Sequence, residues 1–126
     1  MEKLDKLTKI MEKLKDQWIF VEGQKDKKAL QDLGFDKILT ISGNLKLSCE
    51  QLVKKEPMVR KVFVLTDLDR RGHQLAKKAK EELERFSIKA DLQLRGDFGY
   101  ALGIRTFENA SKAYEKLKEE NENKRR

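Results

Sequence analysis

Val62-Phe63-Val64-Leu65-Thr66-Asp67-Leu68-Asp69-Arg70-Arg71-Gly72 is the stretch whose reading decides the fold. It opens on a short, uninterrupted apolar run, rich in β-branched and aromatic residues. Such a run is a strand buried on both faces, as strands of parallel sheets are. The run stops at acids and a glycine. Beyond them, Leu75, Ala76, Ala79, Leu83 and Phe86 recur at the spacing of one helix face, over roughly four turns. Strand, acidic turn and helix therefore follow one another within a single stretch.

Outward from this stretch the alternation repeats. Upstream, Leu4, Leu7, Ile10, Met11 and Leu14 predict an amphipathic helix over 2–16. Trp18-Ile19-Phe20-Val21 is a second buried strand, closed by Glu22-Gly23. A short helix from about Lys25 to Leu33 ends at Gly34, Ile38-Leu39-Thr40-Ile41 is another strand, closed by Ser42-Gly43-Asn44, and 46–55 is a helix stopped by Pro57. Downstream, a weaker strand spans about Ile88 to Leu94, and RGDFGYALGIR (95–105) reads as a structured loop because of its glycines. A last helix is expected from about Phe107 to Glu120, with Ala110, Ala113, Tyr114 and Leu117 inward and the tail NENKRR frayed. Strands alternating with helices predict an α/β fold, with a mainly parallel four-stranded sheet and helices on both faces. Residues 1–126 form a single domain on this reading, without repeats or a dividing linker.

Composition narrows the function classes. No apolar run approaches the roughly 18 to 20 residues of a membrane span, and the charged N-terminus lacks a secretory pattern. The one cysteine, Cys49, has no internal partner and is expected to pack, which fits a cytoplasmic protein. Lys and Arg number 29 against 22 Asp and Glu, a formal charge of +7. That surplus favours a polyanionic partner such as RNA or DNA. The same charges, interleaved along helices, also suit a solvated, heat-adapted surface.

In open α/β sheets, ligands bind beyond the carboxyl ends of the strands, and there the acids gather. Asp67 and Asp69 are alternate residues and aim to one side while Leu68 turns away. A sheet order of 2-1-3-4 would set the first strand beside the third, about 4.8 Å away, and bring Glu22 to the same point. Carboxylates about 4 Å apart repel by roughly 1 to 4 kcal/mol per pair, which a divalent cation relieves. Hard oxygen donors without His or Cys favour Mg²⁺, or Mn²⁺, and Mg²⁺ in turn suits phosphate-bearing substrates. Gly23 and Gly72 are expected to allow tight turns and close ligand approach. Arg70 and Arg71 start a helix where an anion is favoured, and one of them is a candidate phosphate contact.

The two motifs together, a buried strand ending in Glu22-Gly23 with Asp26 following and another ending in Asp67-Leu68-Asp69-Arg70-Arg71-Gly72, resemble the Toprim domain. That domain is shared by topoisomerases, bacterial primases, recombination-repair proteins and the nuclease that matures 5S ribosomal RNA. The segment Thr40-Ile41-Ser42-Gly43-Asn44 is similar to the turn after the second Toprim strand of the small nuclease-like members. The resemblance covers about 18–94 and implies a Rossmann-like Toprim fold. It implies that Asp67 and Asp69, with Glu22, hold Mg²⁺, and that Glu22 acts as general acid or base. From the residues themselves, Arg70, Arg71 and Lys25 are the candidate phosphate or nucleic-acid contacts, and Gly23, Gly43 and Gly72 are expected to serve backbone turns. A topoisomerase would need a tyrosine-bearing domain and a primase its zinc module and polymerase fold, and 126 residues hold neither. What remains resembles the small stand-alone Toprim proteins of bacteria and archaea. Two functions follow from the resemblance: a Mg²⁺-dependent nuclease acting on RNA or DNA, or a non-catalytic nucleic-acid-binding module that assembles with a protein partner.

Plainer readings stand beside these. Asp67 and Asp69 also suit a strand end and a helix N-cap, Arg70 and Arg71 ordinary surface charge, and Lys25 and Asp26 the start of a helix. His73 is expected in solvent on a first helical turn. Phe98 and Tyr100 either close the core or stack on bases. A phosphoacceptor receiver domain would carry paired acids after the first strand and a single one after the third, the reverse of this arrangement.

Overall fold

The computed structural model describes residues 2–41 and 43–125. Ser42 of the turn after the second strand, and the two ends Met1 and Arg126, lie outside the described residues. Four strands, β1 (Trp18–Val21), β2 (Ile38–Thr40), β3 (Lys61–Leu65) and β4 (Lys89–Asp91), form one sheet in the order β2-β1-β3-β4. Every neighbouring pair is parallel, with Val21 level with Thr40 on one side and Leu65 on the other. Parallel strands need crossovers, and helices supply them: α2 (Gln24–Asp32), α3 (Leu45–Lys55) and α4 (Arg70–Arg85). The N-terminal α1 (Glu2–Leu14), α5 (Gln93–Leu102) and α6 (Ala110–Arg125) complete the chain.

The alternation of side chains along each strand divides the core in two. Ile19, Val21, Phe63 and Leu65 face α1, α2, α5 and α6, where Leu7, Leu14, Leu30, Phe98 and Phe107 join them. Phe20, Val62 and Val64 face the other way, against Cys49 and Leu52 of α3 and Ala76, Ala79 and Leu83 of α4. Helices thus cover both faces, and α1 is spent on covering the sheet. Burial pushes the Cys49 thiol up to about 11, so this cysteine packs as an inert apolar group. No helix of the described residues is long and apolar enough to cross a membrane.

The downstream part departs from the sequence reading. The glycine-rich segment read as a loop is the helix α5, which starts at Gln93 and so cuts the fourth strand short at Asp91. Gly96 and Gly99 weaken helix propensity locally, but Leu94, Phe98, Ala101 and Leu102 bury one side of the segment. Packing outweighs propensity here. A single 3-10 turn, Phe107–Asn109, precedes α6, and α6 runs on to Arg125 where a frayed tail was expected. Its Lys- and Glu-rich sequence is made of good helix formers, which carry the helix onward.

Candidate metal and phosphate site

The order β2-β1-β3-β4 reverses direction between β1 and β3, and open sheets of this kind take ligands in the crevice beyond the carboxyl ends at that point. Glu22 follows β1 directly, and Asp67 stands two residues beyond the end of β3. The two are joined: the Asp67 backbone N–H donates to Glu22 Oε2 at 2.6 Å. Adjacency of the strands, an inference at the level of sequence, is thus closed by a hydrogen bond across the crevice. Asp67 in turn accepts from the Phe107 N–H through Oδ1 at 3.0 Å. Asp69 is the N-cap of α4 and accepts from the Gly72 N–H through Oδ1 at 2.6 Å. The capping role and the acidic-site role therefore fall on one residue.

Each of the three acids has one oxygen fixed by a backbone N–H, and among the described residues the other has no hydrogen-bond partner. A carboxylate arranged in this way is oriented and still able to take a ligand. Asp67 is only partly exposed, and its carboxyl is pushed up to about 6, chiefly by burial and then by the negative charges of Asp26, Glu22 and Asp69, against the Phe107 hydrogen bond. The anions thus sense one another at this end of the sheet. Among the described residues, no group of three His, Cys, Asp or Glu side chains forms a ready metal cage. The donor chemistry nevertheless fits a hard cation that takes one or two carboxylates and keeps its waters. Glu22, Asp67 and Asp69 are the residues that would hold it.

Asp26 and Arg95 belong to the same end; Asp26 stands in the first turn of α2, as its helix-start reading expected, whereas Arg95 was given no role from sequence. Asp26 is 7% exposed and accepts from the Gly23 N–H through Oδ2 at 3.0 Å, so it pins the turn that follows Glu22. Burial raises its carboxyl above the usual range, the Gly23 hydrogen bond opposes this, and Glu22 adds to the rise. Arg95 of α5 is 6% exposed and ties down the β3 end. Its Nε donates to the Thr66 carbonyl and its Nη2 to the Asp67 carbonyl, each at 2.7 Å. Nη2 also lies 2.8 Å from His73 Nδ1. Guanidinium is donor only, so Nδ1 accepts, and a neutral His73 carries its proton on Nε2. Burial lowers the pKa of Arg95, while Glu22, Asp67 and Asp69 pull it back up. A loop reading of 95–105 hid this arginine, since only a helix aims position 95 at the sheet. His73 is exposed on the first turn of α4, as expected, and has one ring nitrogen engaged.

The remaining candidates divide. Arg70 and Arg71 on the first turn of α4, and Lys25 on the first turn of α2, are exposed beside the crevice. Among the described residues none of the three has an ion-pair partner. Gly43 has φ +104, a left-handed turn that favours glycine. A Cβ at Gly72 would lie 1.8 Å from the Asp67 carbonyl oxygen, so the turn has no room for a side chain. Gly23 differs from the expected tight turn: its backbone is extended and nothing lies within 4 Å of an added Cβ.

The Toprim domain family model matches residues 17–95, a span that contains both strand ends and all three acids. The chain belongs to the Toprim family. It is similar to a UPF0292 protein of Methanocaldococcus jannaschii, 36% identical over 116 residues, 86% of this chain and 89% of that one. A UPF0292 protein of Pyrococcus abyssi is 36% identical over 88 residues, 68% of this chain and 65% of that protein. Among solved structures, a protein from Aquifex aeolicus superposes with a TM-score of 0.67 at 27% identity, covering 83% of this chain and 94% of that one. The Toprim match stops at residue 95, so α5 beyond its start and α6 lie outside it.

Proposed function

We propose that this Toprim protein is a Mg²⁺-dependent enzyme acting on phosphodiester bonds of RNA or DNA. The observation that carries the reading is the joining of the two acidic strand ends by the Glu22–Asp67 hydrogen bond, with exposed Arg70, Arg71 and Lys25 at the flanking helix starts. Mg²⁺, when bound by the acids, supplies charge to offset a phosphate oxygen. The chain's own residues do the rest. Arg70, Arg71 and Lys25 attract and orient the phosphates, aided by the positive ends of α2 and α4. Glu22, with one oxygen held by the Asp67 N–H, has the other available to accept a proton from an attacking water or hydroxyl.

Cleavage of labelled structured RNA and DNA in Mg²⁺, Mn²⁺ or EDTA tests this. Glu22→Gln and Asp67→Asn preserve the acceptor each backbone N–H requires, so both variants should fold yet lose cleavage. A wild type inert on all substrates removes the enzymatic reading. The surplus of 29 Lys and Arg over 22 Asp and Glu also fits a second reading, a nucleic-acid-binding module that keeps the metal site and relies on a protein partner for chemistry. Salt-dependent nucleic-acid binding that survives both substitutions, without cleavage by the wild type, is its signature.

A further inference from the structure

Beside the acidic crevice lies an open trough of about 550 Å³, between α1, α5 and the turn that carries the acids. Its floor is Leu68, the residue between Asp67 and Asp69, which packs so tightly on α5 that a Cβ at Gly99 would lie 2.1 Å from its Cδ1. The Leu68 N–H donates to the Arg105 carbonyl at 2.7 Å, which ties the trough wall to the acidic turn. Gly96 keeps the trough open, with nothing within 4 Å of an added Cβ. Tyr100 stands on its rim at 77% exposure, one helical turn from exposed Gly96 and two residues from the fully buried Phe98. Core packing accounts for Phe98 and leaves Tyr100 unexplained. The Lys6 ammonium lies 5.8 Å from the centroid of the Tyr100 ring, and Lys3 and Arg105 are exposed along the lining.

An exposed aromatic ring, an apolar floor and cations beside a phosphate-directed site are the ingredients of base stacking with backbone neutralisation. We infer that this trough is the subsite for an unpaired nucleotide of single-stranded nucleic acid, with its base on Tyr100 and its neighbouring phosphates on Lys3, Lys6 and Arg105. The inference rests on the nucleic-acid reading above and adds strand preference and a second set of contacts to it. A paired base is enclosed in its stack and cannot offer its face to Tyr100, so duplex is excluded from the trough. The trough and the acids share the 66–69 turn, which places the nucleotide next to the bond that the acidic site addresses.

The test is fluorescence anisotropy of labelled single-stranded RNA and DNA and their duplexes, with full-length wild type, Tyr100→Ala and Tyr100→Phe. Stacking is worth roughly 1 to 3 kcal/mol per base. Tyr100→Ala should therefore weaken single-strand binding by about 5- to 150-fold and leave duplex binding unchanged, and Tyr100→Phe should bind as wild type. Lys3→Ala and Arg105→Ala should each reduce the slope of log K against log salt by about 0.7. Equal single-strand affinity of Tyr100→Ala and wild type overturns the subsite, as does a wild type that binds no nucleic acid. A Tyr100-dependent dimer with unchanged oligonucleotide affinity assigns the trough to a second copy and overturns it too. The two readings fail separately. Tyr100-dependent binding without Mg²⁺-dependent cleavage keeps the subsite and removes the enzyme, whereas cleavage that ignores Tyr100→Ala in both KM and binding does the reverse.

Discussion

The ends of β1 and β3 carry the same parts in opposite order. Each strand runs into an acid, a glycine and a helix, and at each end a carboxylate accepts a glycine N–H three residues away. After β1 the glycine comes first, and Asp26 reaches back to Gly23; after β3 the acid comes first, and Asp69 reaches forward to Gly72. Their supports differ sharply. The β3 turn is clamped, with Arg95 on two carbonyls, the Thr66 hydroxyl donating to the Gly72 carbonyl at 2.7 Å, and no space for a side chain at Gly72. The β1 turn is pinned by Asp26 on the Gly23 N–H but has room around Gly23, and among the described residues no arginine braces it. A rigid β3 turn that fixes two acids therefore faces a more open β1 turn that brings one. Gly72 answers to the protein's own backbone, while the space beside Gly23 is available to a ligand.

That contrast breaks if the two glycines respond alike. Gly72→Ala should cost about 4 kcal/mol or more, because the intruding Cβ meets backbone that cannot move aside; circular dichroism melting checks it. Arg95→Ala should come next, at about 2 to 4 kcal/mol, since it strips buried carbonyls of their donors. A loss under about 0.5 kcal/mol in chemical denaturation, the usual range for a surface change, would mean that the clamp is not one.

Asp67→Asn moves stability the other way. A carboxyl whose pKa is raised on folding, here to about 6, stabilises the fold only while it is protonated. That contribution is complete below its ordinary value of 3.8 and is lost as pH rises through about 6. At pH 8 the neutral Asn variant should be more stable than wild type by about 1 to 2 kcal/mol, after discounting for partial exposure, and the gap should close near pH 4. Melting curves across that range decide it, and added Mg²⁺ should raise the Tm of the wild type more than that of the variant. The smallest effect is expected at Gly23→Ala, within about 0.5 kcal/mol of wild type. Its consequence should appear instead as weaker stabilisation by Mg²⁺ and oligonucleotide together.

Much of this architecture was legible in the chain. Short apolar runs ending in Glu22-Gly23 and Asp67-Leu68-Asp69 carry the strand type, their alternation with helices and the side to which the acids point. These are local properties, set by side-chain period and turn chemistry within a few residues. α5 was not legible, because Gly96 and Gly99 signal a loop locally, and only Leu68 pressing on Gly99 shows why a helix carries a glycine there. Arg95 followed it out of sight, and only the helix separates the two aromatics noted in the chain, burying Phe98 and exposing Tyr100.

The sequence by itself determined a parallel α/β domain with acids at two strand ends and a basic surface. The tertiary structure bore out the expected 2-1-3-4 order of strands, and it alone decided which oxygen of each acid is occupied and that Arg95 braces the β3 turn. The physical reason is range. Periodicity and capping act over three or four residues, whereas the Glu22–Asp67 and Arg95–Thr66 bonds span 45 and 29 positions and exist only once the sheet has closed.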